Sequence, residues 1–105
     1  MRNGYHGLVG SAGNVTSLPN WVSPVTRVPG HERLSWPSKY RGIHKSLDSL
    51  KKDALEVITN STNGKVAGII FESIQGIGGI VEHVDGYHKM ITEMVKNYGG
   101  LIISD

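Results

Sequence analysis

The chain has 105 residues, 11 basic and 9 acidic, for a formal net charge of +2, which suits one small domain with a modest core. That charge is too balanced, and its basic residues too scattered, to point to nucleic acid or an anionic membrane surface. The lack of cysteine excludes disulfide and thiol chemistry, no apolar run reaches the roughly 18–20 residues of a membrane span, and Met1-Arg2-Asn3-Gly4 reads as neither signal nor transit peptide.

Residues 18–45 hold all four prolines (Pro19, Pro24, Pro29, Pro37) and both tryptophans (Trp21, Trp36), with little periodicity. Proline fixes its own φ and biases the residue before it toward extended geometry, so this stretch is expected to be an irregular loop segment. So long a connection is usually functional or rests on other structure. Leu18, Trp21, Val28, Trp36 and Tyr40 are therefore expected to pack against a partner or further chain; a self-packed Ω-type loop is the alternative.

From residue 46 onward the pattern is regular. Leu47, Leu50, Ala54, Leu55 and Ile58 keep helical spacing behind Ser46 as N-cap, and Asn63-Gly64 follows the helix. Val66-Ala67-Gly68-Ile69-Ile70-Phe71 is a continuous apolar run, too short for a helix, that reads as a strand buried on both faces. Glu72 ends it, and a flexible Gln75-Gly76-Ile77-Gly78-Gly79 follows. Asp85 is the expected cap of a second helix whose stripe is Tyr87, Met90, Ile91, Met94, Val95 and Tyr98, with His88, Lys89, Glu93 and Lys96 opposite. Gly99-Gly100 ends that helix, and Leu101-Ile102-Ile103 is a second buried strand before Ser104-Asp105. Residues 46–105 thus form a helix-strand-helix-strand unit of the α/β class, part of a mainly parallel sheet flanked by helices.

In parallel strands Glu72 and Asp105 emerge on the same carboxyl edge, about 4.8 Å apart by the strand spacing. Ligands bind at that edge in open α/β sheets. A carboxylate closing an apolar strand is costly without a partner, unless it simply marks the strand leaving the core for solvent. A metal is disfavoured because His6, His31, His44, His83 and His88 form no His-x-x-x-His pair. Gly76-Ile77-Gly78-Gly79 lacks both the Walker and the Rossmann spacing for a phosphate. A heteroaromatic cation, held by a carboxylate and stacked on an aromatic ring, is the third option.

Three segments carry a family resemblance. Asn3-Gly4-Tyr5-His6-Gly7, VAGIIFESIQGIGG over residues 66–79 and NYGGLIISD over 97–105 resemble, in order, three segments of the class III (ω-type) pyridoxal-phosphate aminotransferases. These are the aromatic-His-Gly segment, the strand ending in Glu-Pro-Ile-Gln-Gly and the strand bearing the cofactor aspartate. Tyr40-Arg41-Gly42 is similar to a segment of the alanine–glyoxylate aminotransferase 2 type. The resemblance implies a fragment of the fold-type I large domain, with residues 1–105 a partial cofactor-binding domain.

It further implies pyridoxal 5'-phosphate as cofactor, amino acid and oxo acid substrates, a homodimer in the full-length protein and a mitochondrial location, with the cytoplasm as the alternative. Asp105 would hold the protonated pyridine nitrogen, whose charged form a nearby anion favours. Tyr5 would stack on the ring. His6 and Gln75 would support the same site, and Glu72 would be a substrate-side carboxylate whose arginine partner is not in this chain. Ser73 stands where the family usually has proline. The family's Schiff-base lysine and its phosphate loop have no counterpart here, so the isolated chain is expected to be inactive. A non-enzymatic remnant or interaction module that keeps the same scaffold is the alternative.

Strands buried on both faces need helices and neighbours on every side. The isolated chain should therefore be poorly stable; a sharp, cooperative thermal transition from a dilute monomer would contradict this.

Overall fold

The computed structural model describes residues 1–21 and 28–105. Its elements are α1 (Ser11–Val15), α2 (Leu47–Ser61), β1 (Gly68–Phe71), α3 (Tyr87–Asn97) and β2 (Leu101–Ser104). The short α1 has no buried residue and no apolar stripe that would have announced it. Pro24 lies outside the described residues. Among those described between 18 and 45 there is no helix or strand, only an isolated antiparallel bridge from Ser38 to His83.

Strands β1 and β2 pair in parallel, Gly68 with Leu101, Ile69 with Ile102, Ile70 with Ile103 and Phe71 with Ser104. A Cβ at Gly68 would lie 2.7 Å from the Leu101 carbonyl oxygen, so the ladder's first rung requires glycine. Helix α2 starts where expected: Ser46 accepts the Ser49 N–H on its hydroxyl at 3.2 Å, as an N-cap does. Past the end of α3, Gly99 takes a left-handed turn (φ 77°) that lets the Gly99 and Gly100 N–H groups donate to the Lys96 and Val95 carbonyls at 2.9 and 3.0 Å.

Helix α3 packs against both α2 and β2. The core consists of Leu50, Ala54 and Ile58 from α2, Tyr87, Ile91, Met94 and Val95 from α3, and Phe71 from β1, with Met1 beside them. The period-four run of α2 faces inward, whereas Leu55, one residue off it, turns to solvent. Tyr98 likewise falls past the helix as its C-cap and is exposed.

One expectation is corrected. Asp85 does not cap α3: Gly86 occupies the N-cap in a left-handed conformation (φ 78°), and Asp85 instead pairs with Lys39 at 2.8 Å. The chain enters the helix through a turn only glycine takes readily, leaving the Asp85 carboxylate facing a cation. Among the described residues one face of the sheet is covered: Ile69 and Ile102 meet the core, while Leu101 and Ile103 are 71% and 51% exposed. In the irregular segment Trp36 is half-buried and Pro37 and Ser38 are buried within the chain, while Trp21, Val28 and Tyr40 are exposed, as residues expected to meet a partner or further chain would be.

Ile91 is fully buried between α2 and the sheet. Truncation of Ile91 to alanine should cost about 2–5 kcal/mol, enough to abolish the helical far-ultraviolet signal of so small a core. An Ile91→Ala chain with unchanged helicity would contradict this packing.

Candidate functional site at the carboxyl edge of the sheet

The parallel register delivers both strand ends to one edge. The Asp105 N–H donates to the Phe71 carbonyl at 2.9 Å, which carries the ladder one rung past β2 and sets Asp105 beside Glu72. The Ser73 and Ser104 hydroxyls, 2.9 Å apart, tie the same edge.

Glu72 is half-buried, and backbone amides satisfy its carboxylate. Its Oε1 accepts the Tyr5 N–H at 2.7 Å and its Oε2 accepts the Gly76 N–H at 2.9 Å. The distant arginine implied by the resemblance is thus not the only way to settle this charge. The spacing Glu72 to Gly76, a carboxylate four residues ahead of a glycine in a tight turn, was the legible half of the arrangement. The Tyr5 half, 67 residues away, had no local signal.

Asp105 is held by a single side chain. His6 Nδ1 lies 2.7 Å from Asp105 Oδ2, with the imidazole 1% exposed and the carboxylate 49% exposed. His6 Nε2 is buried without a hydrogen-bond partner among the described residues. The Tyr5 ring meets Trp21 edge-on at 5.6 Å.

Thr16, fully buried, fixes this histidine segment and is a residue the sequence did not single out. Its hydroxyl accepts the His6 N–H at 2.8 Å and donates to the Gly7 carbonyl at 2.6 Å. Gln75 is also fully buried: its Oε1 accepts from Trp36 Nε1 at 2.5 Å and its Nε2 donates to the Arg2 carbonyl at 3.0 Å. Its amide braces the loop against the N-terminal segment. Among the described residues, no group of three or more His, Cys, Asp or Glu is placed to hold a metal ion. No helix among them is long and apolar enough to cross a membrane.

Taken with its comparisons, this architecture is that of the fold-type I aminotransferases. A thermostable (S)-enantioselective ω-transaminase from Thermomicrobium roseum superposes with a TM-score of 0.86 at 34% identity, over 99% of this chain and 25% of its own. A Pseudomonas jessenii ω-transaminase, solved in complex with PMP, gives 0.88 at 26% identity, over 99% of this chain and 24% of its own. In sequence, the chain is 40% identical over its whole length to an Arabidopsis thaliana protein named alanine–glyoxylate aminotransferase 2 homolog 2, mitochondrial, covering 22% of that protein. It is 26% identical to an acetylornithine aminotransferase of Clostridium acetobutylicum, covering 23% of it. No protein-family model matches. The chain belongs to the class III aminotransferase family, whose cofactor is pyridoxal phosphate, and spans about a quarter of the length of the relatives it matches.

Thr16→Val keeps the side-chain shape but removes both hydroxyl bonds, leaving a buried N–H and a carbonyl unpaired. The loss should be about 1–3 kcal/mol, read as faster amide hydrogen exchange at His6. Unchanged protection at His6 would show that the segment is held by other contacts.

Proposed function

We propose that the chain forms part of the pyridoxal-phosphate site of an aminotransferase that moves an amino group between an amino acid and an oxo acid. On this reading residues 1–105 belong to the cofactor-binding large domain. The observation that carries it is the pairing of Asp105 with a buried histidine at the strand edge, with Tyr5 next in sequence to that histidine.

The donor set fits the cofactor. Asp105 has one oxygen on His6 and a half-exposed carboxylate that can meet a protonated ring nitrogen, favouring its charged form. Bound pyridoxal phosphate supplies an electron sink for the substrate's reacting carbon. Asp105 would maintain the positive charge on the ring nitrogen, and His6 would fix the carboxylate's direction. Tyr5 would set the plane of the ring by stacking, and Glu72 would stand on the substrate side, its backbone ties fixing where it points. Gln75 would act through the brace it makes rather than by touching the cofactor.

Alanine and glyoxylate are the proposed substrates, on the strength of the Arabidopsis relative's name. The mitochondrial names of the Arabidopsis alanine–glyoxylate and ornithine aminotransferases support a mitochondrial location. A homodimer is the proposed assembly of the full-length protein. The proposed inactivity of the isolated chain follows from the absence of a lysine in the family's catalytic context.

Titration with pyridoxal phosphate, followed by cofactor absorbance, tests the assignment. Asp105→Asn should weaken binding about tenfold or more, as expected for loss of a charge-assisted bond, and Tyr5→Ala about fivefold through lost stacking. Equal binding by the parent chain and Asp105→Asn would overturn the role given to Asp105.

A further inference from the structure

The His6 ring is buried, yet only one of its nitrogens is bonded. Its Nδ1 lies 2.7 Å from Asp105 Oδ2, and its Nε2 has no hydrogen-bond partner among the described residues. An ionised carboxylate only accepts, so this contact requires the hydrogen on Nδ1. A flipped ring would set carbon against that oxygen. A second hydrogen, on Nε2, would be a buried donor with no acceptor among the described residues. The geometry selects one form of the ring, with hydrogen on Nδ1 and a bare Nε2.

Two residues outside the pair seat that ring. The first is Thr16, whose hydroxyl spans the histidine by accepting the His6 N–H at 2.8 Å and donating to the Gly7 carbonyl at 2.6 Å. Thr16 is itself fixed: its N–H donates to the Ala12 carbonyl at 3.0 Å, and its carbonyl accepts from Arg33 Nη2 at 3.3 Å. Ser17 continues the seam. Its N–H donates to the Gly4 carbonyl at 2.8 Å, and its carbonyl accepts the Asn3 N–H at 3.2 Å.

The second is Gly4. A Cβ there would lie 3.1 Å from His6 Nε2 and 3.1 Å from the Met1 carbonyl oxygen. Both are tighter than ordinary van der Waals contact, so a side chain at this position would press on the ring from its bare side.

We propose that Thr16 and Gly4 are positioning residues for Asp105: by seating His6 they lock its hydrogen on Nδ1, commit Asp105 Oδ2 to that hydrogen and leave Oδ1 for the cofactor's ring nitrogen. Neither residue touches the cofactor in this scheme; both act through His6. In a ring free to turn, either nitrogen could carry the hydrogen, and Asp105 would lose its fixed donor. A ring with one hydrogen also brings no formal charge to the pair, so the carboxylate's charge stays available to the ligand. The identity of that ligand nitrogen rests on the aminotransferase reading; the lock itself does not.

Imidazole nitrogen shifts of the full-length protein that contains this segment, with isotope-labelled histidine, test the lock directly. The His6 signal is assigned by its loss in His6→Asn. At pH 7 without cofactor it should show hydrogen on Nδ1 and a bare Nε2. Thr16→Val should move that signal toward the other tautomer and weaken pyridoxal phosphate binding about fivefold, the size of one net hydrogen bond. Thr16→Ser, which keeps the hydroxyl, should retain the parent tautomer and bind within about twofold of the parent. Gly4→Ala should move the ring signal while amide exchange at His6 stays within about twofold of the parent, a separation that a backbone defect would not give.

Hydrogen on Nε2 in the parent, alone or together with Nδ1, would overturn the lock however the variants fold. So would a Thr16→Val ring indistinguishable from the parent's. A parent with the expected tautomer that binds no pyridoxal phosphate would overturn the aminotransferase reading and leave the lock standing.

Discussion

The half-buried carboxylate of Glu72 is the joint on which the edge of this molecule depends. It accepts one amide from the N-terminal segment at Tyr5 and one from the loop at Gly76, so three stretches of chain meet at a single side chain. Hydrogen bonds to an ionised acceptor are shorter and about twice as strong as neutral ones. The Tyr5–Gly7 stretch has no strand pairing of its own among the described residues. Its position comes from Glu72 on one side and Thr16 on the other. Gln75 adds a second cross-tie to Arg2, three residues before Tyr5.

The two carboxylates at this edge are spent differently. Both oxygens of Glu72 are engaged by backbone amides, which fixes their direction. Asp105 commits one oxygen to His6 and keeps half of its side-chain surface open. An anion satisfied by amides behaves as part of the scaffold, whereas one held by a single imidazole retains acceptor capacity for a ligand. The parallel register brings the two together, and their partners then set them apart.

The periodic parts of the sequence were legible because they report on local geometry. Ser46 caps α2, the stripe at Ile91, Met94 and Val95 is buried, and the two apolar runs pair in parallel. Asp85 misled because a left-handed Gly86 can begin a helix without a side-chain cap, and the pattern cannot show that a lysine 46 residues earlier takes the carboxylate instead. The partners of Glu72, Asp105 and Gln75 come from segments 67, 99 and 39 residues away, and such contacts leave no trace in local spacing. Resemblance supplied the identity of the edge residues. The interactions that hold them had to come from the fold.

Parallel strands are ordinarily covered on both faces. Here α2 and α3 cover the face of Ile69 and Ile102, while Leu101 and Ile103 on the other face stay open. Among the described residues the edge geometry is therefore not set by compression between two layers of helices. It rests on directional bonds: the ladder from Asp105 to Phe71, the serine pair across the strand ends, and the carboxylate, imidazole and amide ties around them. Directional bonds fix orientation at little cost in apolar area, so a small one-sided core can still align side chains at its rim. The same economy makes the rim sensitive to single groups, because each tie is carried by one atom pair rather than shared across a packed surface.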